Sequence, residues 1–264
     1  MIFQLSNSTT KQLSKLIVFF AVLLGCFFVR LHNVSADNVT DSDMDGISDQ
    51  LETQYFYTNP NNIDTDGDSF DDRTEIYNGF SPWAKDVKLR QSDVDGDGLN
   101  DDWEIKLGTD LKSSDTDSDS YSDYNEVING YSPTDPGSRK VEKKIAVNIA
   151  TFDLEYYNDG VKLDSFKVST GRNGWPTPRG EFTVLDKVPS KNYGGGNYGF
   201  YYPNTKWNLH FTTAKNKLRY FIHGAYWHDE FGKKNMSSGC VNVRYNDMED
   251  LYNWASIGTK VVIK

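Results

Sequence analysis

The sequence predicts a mainly β domain with one or two helices, preceded by a small domain of repeated acidic loops. Three observations carry that prediction. A twelve-residue acidic frame recurs four times between residues 41 and 126, period-two hydrophobicity begins near residue 144, and the charge changes sign between them. Residues 37–138 hold 26 Asp and Glu against 6 Lys and Arg, whereas residues 139–264 hold 12 against 19. The net charge of −10 therefore describes neither part, and so large an asymmetry assigns them different partners: cations for the first, an anionic polymer for the second. The expected division is a leader over 1–36, acidic repeats over 37–138 and a β domain over 139–264, the last two each long enough for a modest core.

The first 36 residues read as an export signal. Lys11 and Lys15 precede the 14-residue apolar run Leu16–Val29, and Val34-Ser35-Ala36 offers small residues for cleavage before Asp37. A bilayer-spanning helix needs about 20 apolar residues, so a cleaved leader is preferred to a permanent anchor. Lipidation of Cys26 stays open, although Leu24 and Phe27 fit a lipoprotein box poorly. The expected location is outside the cytoplasmic membrane, at the cell wall, cell surface or periplasm, with the membrane reached only through an uncleaved N-terminus. His32 departs with the leader, and Cys240 becomes the only cysteine of an exported chain. Exported proteins usually pair their thiols, so Cys240 is either a buried inert residue or a reactive one.

In the acidic repeats, carboxylates occupy positions 1, 3, 5, 9 and 12 of every frame: Asp41, Asp43, Asp45, Asp49 and Glu52; Asp64, Asp66, Asp68, Asp72 and Glu75; Asp93, Asp95, Asp97, Asp101 and Glu104; Asp115, Asp117, Asp119, Asp123 and Glu126. A tight loop of this spacing supplies oxygens to Ca²⁺ from positions 1, 3 and 5, the position-7 carbonyl and the position-12 carboxylate. The carbonyls at position 7 belong to Ile47, Phe70, Leu99 and Tyr121, whose side chains are then expected to enter a small core. Position 6 is Gly46 and Gly98 in two loops but Ser69 and Ser120 in the others, which predicts weaker sites there. Asn78-Gly-Phe-Ser-Pro82 and Asn129-Gly-Tyr-Ser-Pro133 close two pairs of loops, so the unit is duplicated. A solvated acidic linker would not keep a frame four times. The segment from about 41 to 136 resembles the thrombospondin type 3 repeats of bacterial surface proteins, which implies a metal-stapled spacer that folds with Ca²⁺ as a structural cofactor.

After the turn-rich Pro133–Ser138, the alternating runs 144–150, 152–157 and 161–168 flank Asn158-Asp-Gly160 and predict a β-hairpin. Further strands are expected at 181–185, 207–211, 218–222 and 259–263. Asp247–Ala255 reads as a helix, capped by Asn246 or Asp247 and ended by Gly258. The glycine-rich Tyr193–Tyr202 has no helix after it and reads as a mobile lid rather than a phosphate cradle. No nucleic-acid partner is expected.

Ser169-Thr-Gly171, Thr177-Pro-Arg-Gly-Glu-Phe182, Ile222-His-Gly-Ala-Tyr-Trp227 and Ser237-Ser-Gly-Cys-Val-Asn-Val243 follow one another in an order and spacing that resemble the YkuD-type L,D-transpeptidases over about residues 143–264. The resemblance implies a YkuD-like β-sandwich with Cys240 as nucleophile, His223 as base and the Gly224 carbonyl as the group that orients the imidazole. It also implies a reaction: a thioester formed from a peptidoglycan stem tetrapeptide with loss of D-Ala, its transfer to an amine of a second stem as a 3–3 cross-link, and acylation by carbapenem-type inhibitors. Ser238 stands where the family usually has a second histidine. The backbone N–H groups of Gly239 and Cys240 are expected to meet an oxyanion. Tyr202, Tyr226, Trp227, His228, Asn242 and Arg244 are the expected substrate contacts. His210 and Trp254 are expected in the core.

The residues alone also support the chemistry: a thiol of ordinary pKa is only a few per cent thiolate at neutral pH, and an imidazole is a suitable proton acceptor. A non-catalytic, calcium-stiffened module that binds wall peptides remains an alternative, as do an L,D-carboxypeptidase and a protein-anchoring variant. A metal centre of His223, His228 and Cys240 has no recognisable zinc spacing.

Overall fold

In the computed structural model, residues 40–137, 139–195 and 199–264 are described. The leader, Cys26 and the cleavage site expected within 1–36 lie outside the described residues. Among the described residues no helix is long and apolar enough to cross a membrane. Thr40–Lys264 form one compact unit.

Each acidic loop runs into a short helix: α1 (Asp49–Leu51), which continues as a π-helical turn Glu52–Phe56, α2 (Asp72–Asn78), α3 (Asp101–Leu107) and α4 (Asp123–Asn129). The sequence reading assigned none of these. Position 8 of every loop, Ser48, Asp71, Asn100 and Ser122, is an N-cap whose side chain accepts the N–H three residues on. Gly79, Gly108 and Gly130 end α2, α3 and α4 in the left-handed conformation. Seven residues are too few to show a helical period or to hold a helix without packing.

Position 6 has a left-handed φ in all four loops: +94° at Gly46, +103° at Gly98, +87° at Ser69 and +82° at Ser120. The two serines therefore carry the backbone cost that their glycine counterparts avoid. At position 7 the expectation holds for only half the loops. Ile47 and Leu99 are 5% and 1% exposed, but Phe70 and Tyr121 are 60% and 61% exposed. Each pair of loops has one interior, and the residue after the second loop's glutamate fills it instead: Ile76 in α2 and Val127 in α4 are both buried.

Among the described residues the β region has nine strands: β1 (Lys143–Asn148), β2 (Asp153–Asn158), β3 (Val161–Lys167), β4 (Gly180–Thr183), β5 (Asp186–Gly194), β6 (Tyr201–Thr213), β7 (Arg219–Gly224), β8 (Val241–Val243) and β9 (Lys260–Ile263). One sheet has the order β3-β2-β1-β9-β4, the other β5-β6-β7-β8. The expected hairpin is β2–β3, and Asp159 (φ +48°) with Gly160 (φ +84°) makes its tight turn. Of the segment expected as a mobile lid, Tyr193 and Gly194 end β5 and Tyr201 and Tyr202 begin β6, with Tyr193 opposite Tyr202. A helix α5 (Tyr245–Trp254) begins just ahead of the expected caps, after Arg244, which makes no side-chain capping bond. It ends at Ala255 rather than at Gly258, whose φ of +93° turns the chain into β9.

Both sheets contribute to one core. Ile145, Leu154 and Tyr156 from the first, Leu209, Ile222 and Val241 from the second, and Met248, Leu251 and Trp254 from α5 are all buried in it. Leu99, Trp103 and Val127 of the acidic repeats belong to the same core. A smaller one, Ile47, Phe56, Ile76, Leu89, Ile105 and Leu111, lies within the repeats.

Candidate functional site

Strand alternation sorts the second sheet into two faces. Leu209, Ile222 and Val241 pair across β6, β7 and β8 and point into the core. Asn208, His223 and Asn242 are in register on the opposite face. Cys240 directly precedes β8 and is two residues from Asn242, so strand alternation continued one residue back puts it on that same face. Against burial, the Phe221 backbone acts to lower the pKa of its thiol.

His223 is 2% exposed. Its Nδ1 lies 2.8 Å from the Gly224 carbonyl oxygen. That oxygen only accepts, so Nδ1 carries the proton and Nε2 is left as the acceptor. Gly224 is needed here, because a Cβ would sit 2.5 Å from the Tyr245 ring. Burial holds His223 down to about 4 and pushes the Cys240 thiol up to about 11. The resting pair is thus neutral thiol and neutral imidazole.

Tyr193, which sequence reasoning placed in a lid, lies flat on His223 with ring centroids 4.5 Å apart. Its hydroxyl donates to Asn208 Oδ1 at 2.8 Å. Burial and the neighbouring Cys240 raise the Tyr193 pKa, so this hydroxyl stays protonated. Asn208, fully buried, is anchored in turn by bonds from its Nδ2 to the Val188 and Thr205 carbonyls. Neither residue had a sequence signal, since an aromatic and an amide on adjacent strands read as ordinary β composition.

His228 sits 3.0 Å from the Asn242 amide through Nε2, while its Nδ1 accepts from the Glu230 N–H. The amide atom at that contact is Asn242 Nδ2, and Asn242 Oδ1 is buried without a partner. Trp227 stacks on Tyr202 at 3.9 Å and lies 5.8 Å from His223. Tyr226 donates to the Pro203 carbonyl. Tyr226, Trp227, His228, Asp229, Phe231 and Arg244 line a cleft of about 540 Å³. Arg244 reaches Asp229 at 3.3 Å and covers the Phe231 ring. The six expected substrate contacts are therefore neighbours. His210 is buried, 3.0 Å from Arg219, away from this cleft's lining.

One expectation for the cysteine loop, the Gly239 N–H as an oxyanion donor, needs correction. Ser238 makes no side-chain hydrogen bond among the described residues. Its neighbour Ser237 does the bracing, donating to the Cys240 carbonyl and accepting from the Gly239 N–H at 3.0 Å. The Gly239 N–H is thereby committed and not free for an oxyanion, whereas no described residue accepts from the Cys240 N–H. Gly239 has φ +111°, and a Cβ there would lie 2.3 Å from the Tyr220 ring. Ser237 also bridges to Gly171, whose N–H donates to Thr177, so three of the sequence motifs meet at this loop. Ser237→Ala removes two hydrogen bonds of about 0.5–1.5 kcal/mol each. The expected result is adduct formation slowed about tenfold with the unfolding midpoint lowered by a few degrees, read from intact mass and thermal unfolding.

In the acidic loops, the oxygens of Asp41, Asp43 and Asp45, of Asp64, Asp66, Asp68 and Glu75, of Asp93, Asp95 and Asp97, and of Asp115, Asp117 and Asp119 converge within 4.8 Å in each set. The position-9 aspartates stand apart from these sets. Asp49, Asp72, Asp101 and Asp123 accept the position-2 backbone N–H and so close each loop. Glu52, Glu75, Glu104 and Glu126 are 0–4% exposed, and Oε2 of each has no partner. Burial, and then the nearby aspartates, push these carboxyls up to about 7, 8, 9 and 8 respectively. Orphaned buried oxygens beside converging carboxylates fit a hard, oxygen-seeking divalent cation.

Residues 142–263 match the family model YkuD, described as the L,D-transpeptidase catalytic domain. The acidic loops lie outside the matched range. A putative L,D-transpeptidase YkuD of Bacillus licheniformis is 28% identical over 141 residues, which cover 52% of this chain and 77% of that protein. A probable L,D-transpeptidase 3 of Mycobacterium tuberculosis is 27% identical over 115 residues, 42% of this chain and 41% of the relative. The crystal structure of L,D-transpeptidase 3 from Mycobacterium tuberculosis in complex with a faropenem-derived adduct is 22% identical, with a TM-score of 0.43, and the match covers 48% of this chain and 62% of that one. In the matched segment, His223 lies in β7 and Cys240 directly precedes β8, the strand paired in parallel with β7.

Proposed function

We propose that this chain is an exported peptidoglycan L,D-transpeptidase that works through Cys240. The observation that carries the reading is the His223 Nδ1 to Gly224 oxygen bond at 2.8 Å, which leaves Nε2 free to take a proton on the face where Cys240 projects. As the sulfur attacks the stem carbonyl, its proton passes to Nε2. The Cys240 N–H meets the developing oxyanion. The imidazolium then protonates the departing D-Ala amine, leaving a thioester. An amine of a second stem attacks the thioester and loses its proton to the imidazole; the C–S bond breaks, the 3–3 cross-link forms, and the imidazolium returns the proton to the Cys240 sulfur. Starting from a neutral pair avoids holding two buried charges between turnovers.

Stem peptides are the proposed substrates, and the aromatic cleft of Tyr202, Trp227 and His228 their seat. β-Lactams are the proposed inhibitors, because a strained acyl donor traps the same sulfur. Ca²⁺ is the proposed ion of the four loops, held by the converging aspartates together with Glu52, Glu75, Glu104 and Glu126. It would supply positive charge for oxygens that have no other partner. Export through the N-terminal leader places the enzyme where both stems and millimolar calcium occur.

Incubation with a stem tetrapeptide or a carbapenem, followed by intact-protein and peptide mass spectrometry, tests the reading. A covalent adduct on the peptide containing Cys240 is expected; an unmodified protein under conditions that preserve the fold would leave only a wall-binding module.

A further inference from the structure

We infer that the third and fourth acidic loops are structural metal sites of the cysteine-bearing β region itself, so that folding of the active-site sheet, and with it acyl transfer, depends on the cation. The inference rests on the proposed function for its activity readout. It departs from the spacer role implied by the repeats' resemblance, in which the loops and the enzyme would fold independently.

The joint between the two parts has the character of an interior. Leu99 in loop 3, Trp103 in α3 and Val127 in α4 are 1%, 4% and 0% exposed and lie in the same core as Ile222 and Val241 behind the site. The Trp103 ring meets Tyr156 edge-on with centroids 6.0 Å apart, and Tyr156 in turn packs on Trp254 at 5.0 Å. Lys143 of β1, 6% exposed, donates to the Val127, Ile128 and Trp254 carbonyls, tying the end of α4 to the end of α5. Arg90, between loops 2 and 3, pairs with Asp164 of β3 and Asp250 of α5. A polar or hinged joint would lack a buried apolar centre; here Leu99, Trp103, Val127 and Lys143 are buried, and the partly exposed Arg90 pairs lie outside that centre.

The cation enters through adjacency. Glu104 follows Trp103 directly, and Glu126 precedes Val127, so one short helix turns a carboxylate toward its loop and an apolar side chain toward the shared core. Glu104 is fully buried with Oε2 unpartnered, and both Glu126 oxygens are unpartnered at 4% exposure, which independently marks these two loops as sites awaiting a ligand. Without a cation, mutual repulsion opens the loops. Helices of seven residues do not persist alone. Trp103, Leu99 and Val127 then withdraw, uncovering Tyr156 and Trp254 and leaving Lys143 without its carbonyls. Loops 1 and 2 differ, because Ile47 and Ile76 pack in the separate small core.

The test uses the full chain in millimolar CaCl₂ or with excess chelator, and it has three readouts: calcium binding by calorimetry, thermal unfolding followed by near-ultraviolet circular dichroism, and the rate of carbapenem adduct formation. Chelation is expected to lower the unfolding midpoint of the β region and to slow adduct formation at least about tenfold, both restored by calcium. Glu104→Gln is expected to reproduce chelation even in calcium, whereas Ile76→Ala, which thins only the small core, keeps the adduct rate. Calcium binding with the midpoint and the rate both unchanged overturns the inference while leaving the enzyme and the metal sites standing. Absence of calcium binding overturns it as well. If no adduct forms in either condition, the enzymatic reading fails, and the midpoint alone decides: raised by calcium it sustains the coupling, unchanged it overturns it.

Discussion

On the proposed function, Cys240→Ala is expected to lower acyl transfer and β-lactam adduct formation by about 10⁴-fold or more, and to leave calcium binding and the unfolding transition close to wild type. The size follows from covalent catalysis: without the sulfur there is no thioester, and Ala offers nothing in its place. Cys240→Ser tests the same point more finely. An alcohol holds its proton more tightly than a thiol, and His223, held down to about 4, is too weak a base to remove it efficiently. The fold tolerates both changes because Cys240 is only half-buried, and Ser237 braces the loop through the Cys240 backbone rather than its side chain. Initial rates with a stem tetrapeptide and intact mass after carbapenem treatment measure the effect. A Cys240→Ala protein that still cross-links stems at a comparable rate would sink the assignment of the nucleophile.

Removal of the base is the second large effect. His223→Ala is expected to lower kcat/KM by about 10²–10⁴ and to remove the acid limb of its pH profile. In the wild-type enzyme, the ring cannot accept the thiol proton once it is itself protonated, and burial delays that until pH falls toward about 4. The thiol does not ionise on its own until pH approaches about 11. kcat/KM is therefore expected to be flat through the neutral range, with its acid limb well below the ordinary imidazole value. A resting thiolate–imidazolium pair would instead show alkylation by iodoacetamide that stays fast down to acidic pH, and that result would contradict the neutral pair. Stability follows the same shifts. Below the ordinary His value of about 6.5 the unfolded chain binds a proton that folded His223 refuses, so this group lowers stability as pH falls from there toward 4. The raised thiol does the reverse: above its ordinary value the unfolded chain releases a proton that the folded one keeps, and stability falls as pH rises.

The legible part of the sequence was local. Carboxylates at fixed spacing in a twelve-residue frame specify converging oxygens, because a loop closed by its own position-9 side chain leaves positions 1, 3 and 5 little choice of direction. Asn158-Asp-Gly160 specifies its hairpin for the same kind of reason, since only a few turns accept two successive positive φ values. The candidate nucleophile and base came from motif order, and the parallel pairing of β7 with β8 brings the segments that carry these residues, seventeen positions apart, side by side.

What escaped was set by contacts between residues far apart in the chain. Tyr193 on His223 and its tether to Asn208 depend on three strands meeting in one register. The bracing role fell to Ser237 rather than Ser238 because the bridge to Gly171 turns that side chain toward the loop carbonyl. Phe70 and Tyr121 stay outside while Ile47 and Leu99 go in, a choice made by which helix fills each shared interior. The sequence by itself determined the carboxylate frame and the hairpin, each from chemistry within a dozen residues, and singled out Cys240 and His223 through motif order. Only the tertiary structure decided that Trp103 and Val127 close the core behind the active-site sheet, because burial of an apolar side chain depends on the surface it meets, and that surface lies some 50 to 150 residues further along.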